Sequence, residues 1–222
     1  MTDAHLSHHD LRASVVEAAR TLFVNGVMSH TGHANLSARV DASTMLLTTG
    51  GQVRDLALSG LALVGTDGTA LEGHLDPVNA EIVHMHGEVY RAKPDVGGII
   101  HTHSPALLAF ALANRPLRCT YEAMVRFGQD SEVPVVPWAP RGSERSVSGI
   151  LDAIAEHPRT QAVLLGNHGV LVFTDTVMRT ALLLSALEEA AEAELAAEGL
   201  GGARELPAGV LADVRAAMAA AK

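Results

Sequence analysis

Lysine is nearly absent from this chain: only Lys93, beside Pro94, and Lys222 occur among 222 residues. A Schiff-base enzyme needs a desolvated lysine in a pocket, and neither position offers one, so carbonyl chemistry here requires another electrophile. A metal ion supplies one. Cysteine is scarcer still. The single Cys119 excludes an internal disulfide, fits a reducing compartment and reads as a small buried apolar residue. No apolar stretch approaches the roughly 20 residues of a bilayer-spanning helix. The opening Met1-Thr2-Asp3-Ala4-His5 has no basic segment leading into an apolar one, so a cytoplasmic protein without a membrane partner is expected. Basic side chains number 16 against 25 acidic ones, a formal charge of −9, and they form no stripe. Nucleic acid is therefore not an expected partner.

Hydrophobic residues make up 48% of the chain, enough to bury the core of one domain over residues 1–222, with residues 199–222 as a C-terminal helical tail. Asp10 to Asn25 has Val15, Val16, Ala19, Leu22 and Phe23 at helical spacing and Gly26 as a stop. Asn35–Val40 and Met45–Thr49 read as a hairpin turning at Asp41–Ser43, and Ala62–Val64 as a further strand before the Asp67-Gly68 turn. Pro77 opens a helix to Arg91. Val96–His103 is a buried strand, and Ser104-Pro105 caps and starts the helix Ala106–Asn114. Val133–Val136 is extended and, with its proline, suits an edge or a strand start. Ser146–Glu156 is helical, Ala162–Leu165 and Val170–Phe173 form a hairpin, Thr176–Ala197 is a long helix broken by Gly199–Gly202, and a last helix follows Pro207. Neither an internal repeat nor strict βαβ alternation appears, so the order suggests a largely antiparallel sheet covered by helices.

The most informative motif is His101-Thr102-His103, closing the apolar run Val96–Ile100 and echoed by His168 in Leu165-Gly166-Asn167-His168-Gly169. Residues two apart on a strand point the same way, so His101 and His103 can converge on one ion, and a third histidine completes a facial set. Three neutral nitrogens leave coordination positions open, as a catalytic site requires. Twelve histidines also guarantee coincidental pairs: His8-His9 reads as one. His84 and His86 read as another, because positions two apart on a helix do not face each other.

In Asn35-Leu36-Ser37, Thr49-Gly50, the Glu81 helix, Arg91-Ala92-Lys93-Pro94-Asp95, His101-Thr102-His103-Ser104, Val133-Pro134-Val135, Gly142-Ser143 and Asn167-His168-Gly169, the chain resembles the class II aldolase/adducin family. That is the group containing fuculose-phosphate aldolase and ribulose-phosphate epimerase. The matching stretches span about residues 10 to 195. The resemblance implies a three-layer α/β/α sandwich around a largely antiparallel central sheet, and a homotetramer with its sites near subunit edges. It also implies one divalent ion per subunit on His101, His103 and His168, with Glu81 as general acid/base. Zinc is the first expectation; manganese, cobalt, nickel and iron also suit three imidazoles. Tyr121 and Glu122 fall where family members keep tyrosine or acidic side chains and are further catalytic candidates. Asn35, Thr49 and Gly50 are candidates for binding substrate oxygens.

Two departures bear on substrate. Phosphate-binding members cradle the phosphate with a Gly-Asn pair, a Thr-Gly loop and a serine pair before the catalytic glutamate. Here those positions read Ala34-Asn35, Thr49-Gly50 and Asn79-Ala80. Losing two hydroxyl donors removes about 2–4 kcal/mol of hydrogen bonding to a phosphate, which favours an unphosphorylated or carboxylate-bearing substrate. The second departure is register. Family members place the glutamate four residues before a histidine, whereas Glu81 lies five before His86. One extra residue turns a regular helix by about 100°, so Glu81 reaches the ion only if the helix begins late or bulges. His84 is the reserve candidate.

The expected activity is a metal-dependent carbon–carbon lyase: an aldolase acting on a small hydroxylated ketone or sugar derivative, with the ion stabilising the enediolate. Decarboxylation of a β-keto acid passes through the same charge and is the alternative, followed by epimerase, dehydratase and iron-dependent oxygenase variants. A non-catalytic binding protein is the rival from another class, and the three retained histidines count against it.

Overall fold

The computed structural model describes residues 8–220; the opening segment considered above and Lys222 lie outside them. One eight-stranded sheet runs through the molecule in the order β4-β3-β2-β1-β5-β8-β7-β6. Its strands are β1 (Ala34–Arg39), β2 (Thr44–Thr48), β3 (Leu61–Gly65), β4 (Ala70–Glu72), β5 (Gly98–Thr102), β6 (Val135–Val136), β7 (Ala162–Leu165) and β8 (Gly169–Thr174). Every pairing is antiparallel except β6 with β7. β6, the segment entered through Pro134, ends the sheet, where a missing N–H costs no ladder bond.

Helices cover both faces. On one lie α1 (His9–Val24), α3 (Pro105–Ala113), α4 (Glu122–Phe127) and the long α6 (Val177–Ala197). Their apolar residues Leu22, Leu107 and Leu187 pack with Leu36, Ile100 and Val172 of the sheet. On the other lie α2 (Ala80–Ala92) and α5 (Glu144–Glu156), whose Val83 and Ile150 meet Ile99, Leu171 and Phe173. Alternation along β5 sends Ile100 to the first layer and Ile99 to the second. The result is the three-layer sandwich that the family resemblance implies. α7 (Val210–Ala220) closes the described chain against α4.

Gly97 and Gly98 let the start of β5 pass under the β8–α6 turn. A Cβ on either would run into the Asp175 carbonyl or the Val177 backbone. This close approach seats the amino end of β5, and with it the histidines at the other end.

Several expectations change. β4 and α4 emerge from stretches without a clear period, which puts Tyr121 and Glu122 at the start of a helix. Ser104 does not cap α3 with its side chain. Glu188 of α6 does so instead, its carboxylate accepting from Ala106 N at 2.6 Å and Leu107 N at 2.9 Å. Pro77 opens a 3-10 turn (Pro77–Asn79), and the α-helix begins only at Ala80.

Candidate functional site

β5 delivers His101 onto the α2/α5 face, and His103 follows just beyond the strand's end. The β7–β8 turn returns His168 to the same place, with Asn167 in the left-handed region at φ 56° making the reversal. One nitrogen from each of His101, His103 and His168 lies within 4.8 Å of the others. Ring centroids are 4.7 Å apart for His101–His168 and 5.2 Å for both pairs that include His103. Gly169 keeps the cluster tight, because a Cβ there would press on the Thr102 carbonyl and the His103 ring.

The donor set fits a divalent ion. Nδ1 of His101 donates to the Val170 carbonyl at 2.9 Å, which fixes the tautomer and leaves Nε2 with a free lone pair. Nε2 of His103 is buried and has no hydrogen-bond partner, a cost that coordination would remove. Burial, then His168 and His103, holds His101 well below the usual imidazole value. His103 is pushed down to about 4, by burial first and then by His168, His33 and Arg141. His168 is lowered by burial, Arg141 and His33. Rings held neutral are the form that can ligate a cation.

Around the triad opens a cleft, lined also by His33, Asn35, Glu81, Met85 and Arg141. Glu81 lines it from the first turn of α2, just after the 3-10 turn Pro77–Asn79. Its carboxylate is ion-paired with Arg141 Nε. Gly142, at φ 71°, brings the 140–143 turn so close that a Cβ would overlap that carboxylate. Asn35 stands directly opposite His101 across the β1–β5 ladder.

The other candidates lie outside this cleft. Thr49 sits behind it, its carbonyl accepting from Asn79 Nδ2 at 2.7 Å; Gly50 continues that loop, and the next residue, Gly51, abuts the His33 ring. Asn79, at one of the positions where the family keeps serines, thus anchors the loop to α2. His84 faces Glu88 and Glu144, each at 3.7 Å, away from the triad. Tyr121 lies on the opposite side of the sheet, with Glu189 raising its phenol. Glu122 pairs with Arg126 one turn on at 2.6 Å. Cys119 is half-buried, and burial raises its thiol, in keeping with a packing role.

Three contributors escaped the sequence reading. His33 stacks on His103 with ring centroids 5.6 Å apart and planes 7° from parallel; its place two residues before Asn35, on the same side by strand alternation, was the available signal. Arg141 stands in a loop, where no period marks it. His86, read as coincidental, is fully buried and bonded to Ser37 Oγ and Asn35 Oδ1, both at 2.7 Å.

The model of the Class II Aldolase and Adducin N-terminal domain matches residues 13–195. The chain is 28% identical to 3,4-dihydroxyphthalate decarboxylase of Arthrobacter keyseri, over 94% of its own length and 88% of that protein. It is 26% identical to 5-methylthioribulose-1-phosphate/5-deoxyribulose-1-phosphate aldolase of Rhodospirillum rubrum, over 82% and 79%. Its fold superposes on an L-fuculose 1-phosphate aldolase with a TM-score of 0.80, covering 95% of this chain and 97% of that one at 21% identity. With its histidine cluster set in that sandwich, the chain belongs to the class II aldolase and adducin family.

Proposed function

We propose that this chain is a divalent-metal-dependent carbon–carbon lyase for a small oxo substrate, with zinc the first ion to test. The observation that carries this reading is the convergence of His101, His103 and His168 on one point beside Glu81. When bound there, the ion would supply Lewis acidity that stabilises negative charge on a substrate oxygen as the adjacent carbon–carbon bond breaks. The remaining chemistry falls to the chain. Glu81, the one carboxylate lining the cleft among the described residues, takes a hydroxyl proton in aldol cleavage, or returns a proton to carbon after decarboxylation, a contribution of about 10²–10⁴-fold in rate. Ile82, Met85, Val147 and Leu165 wall the cleft and exclude water from the reacting centre. Asn35 donates to a substrate oxygen.

Arg141 favours decarboxylation of a β-keto acid as the first reaction to assay, ahead of aldol cleavage. Its guanidinium at the cleft matches a carboxylate bidentately, and the loss of the serine pair removes donors for a phosphate. The decarboxylase relative supports the same order, while the aldolase relative keeps cleavage of a sugar phosphate as the second reading. A homotetramer belongs to this proposal. Exposed Trp138 (56%) and Leu112 (55%) flank the histidine turn and offer apolar area for a subunit contact.

The test is to strip the protein with a chelator, reload it with zinc, manganese, cobalt, nickel or iron(II), and assay carbon dioxide release from β-keto acids beside aldehyde release from ketoses. Carbon–carbon cleavage that appears with one of these ions and disappears with chelation is expected. Cleavage indifferent to the chelator would overturn the proposal.

A further inference from the structure

Behind the cleft, on the α2/α5 side of the sheet, four polar side chains form an unbroken line. Tyr90 Oη is 2.8 Å from Ser37 Oγ, which is 2.7 Å from His86 Nδ1. His86 Nε2 is in turn 2.7 Å from Asn35 Oδ1. Ser37 and His86 are fully buried, Tyr90 is 1% exposed and Asn35 2%. Among the described residues no other partner of the Tyr90 hydroxyl is found, and the Asn35 amide nitrogen has no protein acceptor.

The direction of this line follows from counting protons. Burial pushes His86 down to about 3, so the ring is neutral, with one donor and one acceptor nitrogen. Burial also raises the Tyr90 phenol, which therefore keeps its proton. That proton has one available acceptor, Ser37 Oγ. Ser37 then gives its own proton to Nδ1 of His86, so Nε2 carries the hydrogen and donates to the Asn35 carbonyl oxygen. If the carboxamide were reversed, Nδ1 would have to carry the hydrogen, and either the Ser37 or the Tyr90 proton would be left buried without an acceptor. Buried donors are rarely left so.

We infer that Tyr90, Ser37 and His86 form a one-way relay that locks the Asn35 carboxamide with its NH₂ group turned toward the histidine cleft. Asn35 thereby becomes a dedicated donor to an oxyanion of the substrate. His86 and Ser37 are positioning residues acting through Asn35, which stands across the ladder from His101. The relay selects for ligands with an acceptor oxygen at this point, an anionic one best, because the reversed carboxamide would leave a buried hydroxyl proton without an acceptor. The selection deepens the proposed function and rests on it for the identity of the cleft. The direction of the relay does not depend on it.

Three readouts test the inference on the zinc-loaded protein. The first is nitrogen NMR of ¹⁵N-histidine-labelled protein, with the His86 signals assigned by their loss in His86→Gln. A ring with hydrogen on Nε2 and a bare Nδ1 is expected; hydrogen on Nδ1 overturns the relay. The second is calorimetric binding of oxalate, a small dianion able to span the metal and the amide. Ser37→Ala removes the hydroxyl that must donate to Nδ1 and so frees the ring tautomer and the carboxamide, so binding weaker by up to about tenfold is expected, and about 100-fold weaker for Asn35→Asp, from the typical strength of hydrogen bonds to charged groups. In a turnover assay the Ser37→Ala loss should fall on KM with kcat nearly kept. Oxalate affinity unchanged in Ser37→Ala would overturn the positioning role, since a merely structural hydroxyl would leave it so. Absence of lyase activity alongside the expected tautomer and oxalate binding would count against the proposed reaction and leave the relay standing.

Discussion

The guanidinium of Arg141 lies on the carboxylate of Glu81 at the cleft that holds the three histidines. Under the proposed function, an anionic substrate entering there would compete with Glu81 for Arg141, binding through the arginine while freeing the carboxylate to handle a proton. Glu81→Gln should keep the ion and lose about 10²–10⁴-fold in kcat; unchanged turnover would move the proton-transfer role elsewhere. Arg141→Gln should raise KM for a carboxylate-bearing substrate by tenfold or more, the worth of about one charge-assisted hydrogen bond, and change KM for a neutral ketose much less. Steady-state kinetics on the two substrate types separate these outcomes.

Acid should weaken the metal-free fold through His86. This ring has an ordinary value of 6.5 when exposed and about 3 when folded, so between those limits the unfolded chain binds a proton that the native chain refuses. The stability it contributes is whole above about pH 6.5 and is lost as pH falls toward 3. The lowered His101, His103 and His168 act with the same sign. Urea midpoints for the chelated protein should drop between pH 7.5 and pH 5, with a shallower fall for His86→Gln. A midpoint that is flat over this range would contradict the burial of neutral histidine.

The periods of the sequence expose most of the scaffold but only part of the site. Residues such as Val15 and Leu22, or Ile99 and Ile100, announce helix and strand because burial on one or both faces imposes spacing. His101 and His103 are visible for the same reason. Glu188 is not, because its role as cap to α3 is made by two elements far apart in the chain. Arg141 is hidden in a loop with no period to betray it. His86 misleads in a different way: helical spacing correctly separates it from His84, yet says nothing of Ser37 and Asn35 arriving from β1. The 3-10 turn that delays α2 from Pro77 to Ala80 leaves no mark in a pattern of apolar positions.

Glu188 offers a direct test of tertiary capping. Glu188→Ala strips acceptors from Ala106 N and Leu107 N, and burial already raises this carboxyl, so the ion contributes less than an exposed cap would. A loss of about 2–3 kcal/mol in urea unfolding is expected from two orphaned donors, with Glu188→Gln recovering part of it. Wild-type stability in Glu188→Ala would show that α3 does not need this acceptor.

Gly169 tests how tightly the backbone holds the triad. A methyl group there meets the Thr102 carbonyl and comes within 2.8 Å of the His103 ring, displacing a ligand without removing it. Gly169→Ala should weaken zinc binding by about 10–100-fold, in the range of other changes that disturb ligand support. Zinc competition titrations against a chromophoric chelator read this directly, and unaltered affinity would mean that the His103 ring has room to retreat.

The central claim, that three imidazoles create a catalytic metal centre, is tested most directly by elemental analysis and turnover of His103→Ala beside the parent protein. The parent should carry one ion per chain and cleave substrate. The variant should keep its circular dichroism spectrum and oligomeric size while losing ion and turnover together. A metal-free His103→Ala protein that still turned over substrate would contradict the account.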